Sequence, residues 1–216
     1  MSGEGAAGLV LRDVAIDLDG ERLVRLDASV APGEVLTVMG PSGVGKSTLL
    51  AFVGGFLGRD FSARGKIILN GCDVTALPPD ERGIGLLFQD SLLLPHLSVA
   101  GNLLIGLTPS VKGREARRRT VVAALAEVGL EGFADRDPAT LSGGQAARVA
   151  LMRTLLARPA ALILDEPFSR LDAALRGQVR AVVFAEARKY GLPVLLVTHD
   201  PEDAKAAGGR VVELSA

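Results

Sequence analysis

Apolar residues in this chain fall into short blocks with two kinds of spacing. Val35-Leu36-Thr37-Val38-Met39, Ile84-Gly85-Leu86-Leu87-Phe88, Leu162-Ile163-Leu164 and Val194 to Val197 are near-continuous runs. Short runs stopped by turn residues predict strands buried on both faces. Leu49-Leu50-Ala51-Phe52-Val53, the middle from about Val99 to Gly129, Ser142 to Ala157 and Ala173 to Tyr190 read instead as helices. Val121 to Val128 shows the three-to-four spacing, and Pro159 stops the helix that begins near Ser142. The start of the chain differs. Leu9 to Leu18 alternates broadly as a strand, Asp19-Gly20 is a hairpin turn, and Leu23 to Val30 is a second strand ending at Pro32-Gly33. Lys66 to Leu69 adds a short strand before the Asn70-Gly71 turn. Elements in this order predict an α/β fold around a parallel sheet, with a small β-rich start and a helical insert. No internal repeat and no long linker divides the chain, so one domain is expected.

Composition narrows the class. A length of 216 residues suits one domain with a sizeable core. Net charge is −1, so no global field recruits nucleic acid or an acidic membrane. The single cysteine, Cys72, excludes an internal disulfide, suits a reducing compartment, and is expected to be a half-buried small residue. Met1 to Gly5 lacks the basic start and apolar core of a secretion signal. No apolar run approaches the roughly 18 residues of a membrane span. The expectation is a soluble, cytoplasmic chain that meets a membrane only through partners.

Candidate chemistry centres on Gly40-Pro41-Ser42-Gly43-Val44-Gly45-Lys46-Ser47-Thr48. It fits the phosphate-loop pattern of glycine, any four residues, then Gly-Lys-Ser, with a buried strand before it and a helix after it. Backbone N–H groups at the helix start, with the positive end of the dipole, make an anion site. Lys46 adds a charge for the outer phosphates, and the Ser47 hydroxyl can hold magnesium. Asp165 and Glu166 sit where another buried strand ends, at the carboxyl edge where α/β sheets bind ligands. One carboxylate there can hold magnesium, and its neighbour can orient or deprotonate water. His199, after Thr198, ends a core strand at the same edge. Leu141-Ser142-Gly143-Gly144-Gln145 places a hydroxyl and two glycines at another helix start. From the residues alone it is equally a second anion site or an ordinary serine N-cap.

Leu-Ser-Gly-Gly-Gln is the signature of the ATP-binding cassette (ABC) family, and the other motifs stand in that family's order. The chain resembles an ABC ATPase from about Leu9 to the C-terminus. The resemblance implies a P-loop NTPase ABC ATPase fold, with a parallel core sheet, an N-terminal antiparallel β subdomain and a helical insert. It implies one ABC domain over residues 1–216, a helical subdomain at about 92–157, and no C-terminal regulatory domain. ATP and Mg²⁺ are the implied ligands. By the family pattern Gly40 to Thr48 hold phosphates, Asp165 ends the second Walker motif, and Glu166 polarises the hydrolytic water. Gln89 contacts magnesium and water, and His199 touches the γ-phosphate. Ser169-Arg170-Leu171-Asp172 matches the loop that crosses to a partner subunit. The implied assembly is a head-to-tail dimer, of one chain or of paired ATPases, in which Ser142, Gly143, Gly144 and Gln145 serve the partner's nucleotide.

The stretch Phe88 to Val99 is similar to bacterial importer subunits serving polyamines, sulfate, thiamine or ferric iron. The function so implied is a peripheral ATPase on the cytoplasmic face of the plasma membrane. It would drive import through a separate transmembrane permease, with an external solute-binding protein and without nucleic acid. The alternatives are a regulatory ABC ATPase for cell-division or assembly machinery, and an exporter subunit. Two residues depart from the family. No aromatic lies between Val14 and Val30 to stack on adenine, Leu18 or Asp19 falling near that position, so ATP is expected to be held largely by its phosphates. Arg170 stands where a small residue is common. His96 is read as a surface residue near the permease contact. Lys112 to Arg119, the one charge run, is read as a solvated helix face, with lipid head groups or an acidic permease loop as the sharper alternative.

Overall fold

The structure, a computed structural model, describes residues 7–88, 90–169 and 171–215. Gln89, Arg170 and the Met1 to Gly5 segment therefore lie outside the described residues. The chain clusters into two compact units. One is drawn from residues up to Leu86, from Ala160–Glu166 and from Glu186 onward. The other comprises Leu87–Pro159 and Pro167–Ala185.

The first unit holds two sheets. Strands β1 (Leu9–Leu18) and β2 (Glu21–Val30) form an antiparallel hairpin turned at Asp19-Gly20. Strand β4 (Phe61–Leu69) pairs antiparallel with the other edge of β1, and β5 (Cys72–Asp73) caps β4, giving the order β2-β1-β4-β5. Here β4 starts five residues before the predicted Lys66. Its first half, Phe61 to Arg64, pairs with Leu18 to Ala15, but Ser62, Ala63 and Arg64 are exposed and carry no apolar pattern. A bulge at Asp13, with φ 50°, breaks the β1–β4 register. Gly65 backs onto it, because a Cβ there would lie 2.6 Å from the Asp13 carbonyl oxygen. Cys72 is exposed on β5, not half-buried. A two-residue edge strand offers it no covering neighbour.

The second sheet has the order β6-β7-β8-β3-β9. Its strands are β3 (Val35–Met39), β6 (Ile84–Leu87), β7 (Ala161–Asp165), β8 (Val194–Val197) and β9 (Arg210–Glu213). Strand β8 pairs in parallel with β7 and β3, and β3 in parallel with β9. All four side chains of β8 are fully buried, and each such Leu or Val contributes about 1.5–3 kcal/mol. Helix α1 (Lys46–Gly54) packs on β7, its Leu49, Leu50, Phe52 and Val53 joining the core with Leu36, Val38, Ile163, Leu195 and Val197. Helix α6 (Pro201–Ala207) and β9 complete the unit and are absent from the sequence expectation.

In the second unit α2 (Val99–Gly106), α3 (Arg114–Glu127) and α4 (Gly143–Leu156) pack around Val99, Leu103, Val121, Leu125, Val149 and Met152. Helix α5 (Ala173–Lys189) begins here and ends in the first unit. In the basic run Lys112, Arg114, Arg118 and Arg119 are exposed, as a solvated face requires. Arg117 is the exception, its guanidinium donating to the carbonyls of Leu104 and Val111 at 2.8 and 3.3 Å.

Arg82 is a buried cation of the first unit, only 6% exposed. It donates to the carbonyls of Phe52 and Val53 at 2.8 Å each, in the last turn of α1. It also donates to Leu77 O at 2.9 Å and to Thr75 O, beyond β5. A cation on C-terminal carbonyls opposes the negative end of the helix dipole. Arg82→Met keeps the length but removes these donors; Phe52 O retains the Gly55 N–H at 3.2 Å, and each buried acceptor left without a partner costs about 1–3 kcal/mol. Urea unfolding of this variant is expected to show a loss of about 3 kcal/mol; a loss below about 1 kcal/mol would assign the stability to packing alone.

Candidate functional site

Three neighbouring strands end side by side and carry the predicted chemistry with them. Met39 of β3 leads into Gly40, Asp165 ends β7, and Val197 of β8 leads to Thr198 and His199. Glu166 N–H donates to Val197 O at 2.9 Å and Thr198 N–H to Val38 O at 3.3 Å, so the three strand ends are tied to one another.

The loop from Gly40 to Gly45 turns the chain from β3 into α1. Pro41, Ser42, Gly43 and Ser47 are exposed, Lys46 and Thr48 are half-buried, and Val44 anchors the loop in the core. Gly45 is the residue before the helix and has φ 94°. A Cβ on it would lie 2.5 Å from Val24 Cγ2 and 2.8 Å from Leu23 Cγ. Strand β2 thus lies directly against the loop, and only glycine fits both the space and the left-handed backbone. Among the described residues no side chain caps α1 and no acidic residue stands in its first turn. Its first N–H groups thus retain their capacity for an anion. The Lys46 amine lies across the loop, donating to Gly40 O at 2.7 Å and Pro41 O at 2.8 Å.

The Ser47 hydroxyl lies near enough to Asp165 to favour its ionised form. Burial pushes its carboxyl above the ordinary Asp range, and the neighbouring Glu166 charge pushes it further. The Ser47 hydroxyl and the Lys46 charge act in the opposite direction. Asp165 and Ser47 offer oxygen to a hard divalent ion, and no larger protein cluster does so among the described residues. That donor set fits magnesium, which takes one or two protein ligands together with phosphate oxygens.

Glu166 departs from the strand with φ 49°, a left-handed conformation unusual for a residue with a side chain. Its carboxylate meets His199 Nδ1, at 2.7 Å from Oε1 and 2.6 Å from Oε2. A carboxylate accepts, so Nδ1 carries the shared proton and Nε2 is the nitrogen left for a ligand. The Glu166 side chain is 18% exposed and that of His199 69%.

Beneath His199 lies a contact the sequence reading missed. Thr198, fully buried, donates its hydroxyl to Asp203 Oδ2 at 2.7 Å and accepts from Asp200 N–H at 3.1 Å. The legible signal was Asp200-Pro201-Glu202-Asp203, an N-cap residue followed by proline and acids at a helix start.

In the other unit, Ser142 caps α4. Its hydroxyl accepts from Gln145 N–H at 3.3 Å, and Gln145 Oε1 accepts from Ser142 N–H at 2.9 Å, a complete capping box. Gly144 is closely backed, since a Cβ would lie 3.3 Å from Leu171 Cδ2 and 3.4 Å from Leu175 Cδ2. Asp172 precedes α5 and accepts from Leu175 N–H at 2.9 Å. His96 is exposed in the turn before α2. The candidate ligand Gln89 lies outside the described residues.

Known proteins resemble this chain in sequence and fold. The family described as ABC transporter matches residues 23–169. Over 199 residues the chain is 50% identical to the uncharacterized ABC transporter ATP-binding protein YnjD of Escherichia coli (strain K12), covering 92% of this chain and 91% of that protein. It is 44% identical over 193 residues to the thiamine import ATP-binding protein ThiQ of Cereibacter sphaeroides, covering 89% and 82%. Among solved structures, the dimeric post-hydrolysis state of the ATP-binding cassette MJ0796, bound to ADP and Pi, superposes with a TM-score of 0.82 at 30% identity, covering 95% of this chain and 94% of that one. With strand ends, phosphate loop and signature all in place, the chain belongs to the ABC transporter family, as an ATP-binding, ATP-hydrolysing cassette.

Proposed function

We propose that this chain powers import. It would pair head to tail with a second cassette on the cytoplasmic face of the plasma membrane and drive a separate membrane permease fed by an external solute-binding protein. The import reading is supported by ThiQ, named as an import ATP-binding protein, and the pairing by the dimeric cassette it resembles. Among the described residues no helix is long and apolar enough to cross a membrane, and in this reading the permease is a separate chain. Co-purification with a multispanning membrane protein is the expected result. ATPase stimulation by a non-membrane partner alone would point instead to a regulatory cassette.

The observation that carries the chemistry is the Glu166–His199 contact, placed beside Asp165, Ser47 and Lys46 at one sheet edge. In this reading the first-turn N–H groups of α1 and the Lys46 amine receive the phosphates. Ser47 and Asp165 would hold magnesium, with Gln89 as the further ligand expected from the family. The ion, when bound, neutralises charge on the outer phosphates. Glu166 takes a proton from water as its oxygen bonds to the γ-phosphorus and the bridging P–O bond breaks. His199 contributes its second nitrogen to the γ-phosphoryl group. Ser142 to Gln145 and Asp172 would act on the nucleotide of the partner chain.

Glu166→Gln is expected to bind ATP as the parent does and to hydrolyse it at least about a hundredfold more slowly, the scale of one lost general base. Near-parental turnover would remove Glu166 from that role. Lys46→Ala should weaken ATP affinity itself, read by fluorescent-nucleotide titration, and unchanged affinity would count against the lysine.

Asp165 gives a pH-dependent test. Its pKa in the fold lies above the ordinary Asp value of 3.8. The folded chain therefore binds the proton more tightly, and the associated stability is full below that value and lost as pH rises through the folded pKa. At pH 7.5, without nucleotide, Asp165→Asn should melt above the parent, and the gap should close toward pH 4. The same variant should lose magnesium-dependent hydrolysis. A variant melting below the parent at pH 7.5 would show that the ionised carboxylate is not a burden on the fold.

A further inference from the structure

We propose that Thr198 and Asp203 are positioning residues, holding the His199 imidazole on Glu166 through the backbone between them. The proposal rests on the roles of Glu166 and His199 given above. The His199 side chain is 69% exposed, and the Glu166 carboxylate is the partner its ring meets at hydrogen-bonding distance. A surface imidazole so placed needs its backbone fixed, because the entropy of a free side chain and turn works against one geometry. The residues on either side supply that fixation. Thr198 Oγ1 donates to Asp203 Oδ2 at 2.7 Å and accepts from Asp200 N–H at 3.1 Å, so one hydroxyl spans the peptide units around His199.

The network is buried, Thr198 being fully inaccessible and Asp203 3% exposed. A carboxylate is costly to bury unless it is hydrogen-bonded. Asp203 sits in the first turn of α6, where the helix dipole favours its charge, and Asp200 caps the same turn by accepting from Glu202 N–H at 2.8 Å. The turn carrying His199 is therefore clamped between the end of β8 and the start of α6. The clamp is built from polar groups, and the one functional side chain between them in the sequence is His199.

The test uses the whole chain. It has two histidines, His96 and His199, so imidazole NMR resolves His199 directly. In Thr198→Val the His199 ring signals should move toward those of Glu166→Gln, in which the carboxylate contact is altered. Thr198→Ser and Asp203→Asn, which keep a donor and an acceptor, should stay near the parent. In ATP hydrolysis, Thr198→Val should lose between about ten- and a hundredfold in kcat with KM little changed, the scale of a misplaced group. In a His199→Ala background the same substitution should change the residual rate less than about twofold, because residues acting as one unit are non-additive. Asp203→Leu breaks the same contact from the other side and is read by the same criteria if Thr198→Val folds poorly. Parental His199 signals in Thr198→Val overturn the proposal. So does an equal fall in hydrolysis with His199 already removed, or a Thr198→Ser protein that behaves like Thr198→Val. If His199→Ala alone hydrolyses ATP at the parental rate, the role given to His199 fails, and the ring signals still decide whether Thr198 holds the imidazole.

Discussion

The parallel pairing of β8 between β7 and β3 is the constraint from which the site follows. Leu162 to Asp165 pair with Val194 to Val197, and Val35 to Val38 pair with the same four residues from the other side. A slip of one residue in either ladder would exchange the side chains packed on the two faces of the sheet. Both faces are buried, so the misfit in a close-packed core is what opposes slippage. The residue after each strand is therefore fixed as firmly as the core. Gly40, Glu166 and Thr198 occupy those positions, and the carboxylate, imidazole and phosphate loop inherit their spacing from hydrophobic burial.

At that edge the fold accepts local conflict. Asp165 and Glu166 are adjacent carboxylates, both half-buried, and Glu166 also adopts a left-handed backbone. Each feature works against the folded state by itself, and such features cluster at functional sites. The compensation is nearby, in the Lys46 charge, the Ser47 hydroxyl and the His199 ring. The signature segment shows the opposite economy. Ser142 and Gln145 satisfy one another in a capping box, so that helix start is stable by itself.

How much of this was legible in the chain depended on where each stabilising contact lies. The four central strands read clearly because parallel strands buried on both faces leave unbroken apolar runs. The phosphate loop and the two strand-end carboxylates read clearly for the same reason, being punctuation after those runs. The first half of β4 did not, because Ser62, Ala63 and Arg64 gain their strand state from pairing with β1 and expose their side chains. Helix α6 and β9 were hidden by polarity: a seven-residue helix with Glu202, Asp203 and Lys205 has no apolar stripe, and Arg210, Val211 and Glu213 of β9 are exposed. The partnership of Thr198 with Asp203 escaped because it crosses from a strand end to a helix start, which neither periodicity describes. The Glu166–His199 contact spans 33 positions of sequence; residue type placed both at the edge, and only the strand register brings them into contact.

Arg82 gives the molecule a lever. Its guanidinium grips the last carbonyls of α1 and, in the same grasp, the chain that leaves the antiparallel sheet. Helix α1 is nine residues long, an arm of about 14 Å from clamp to cradle. A tilt of about 5° on that pivot would carry the phosphate loop by about 1.2 Å. Displacements of about 1 Å at reacting groups cost on the order of a hundredfold in rate. By holding that far end against such a tilt, Arg82 adds to the accuracy that the core gives the cradle, while touching no part of the site.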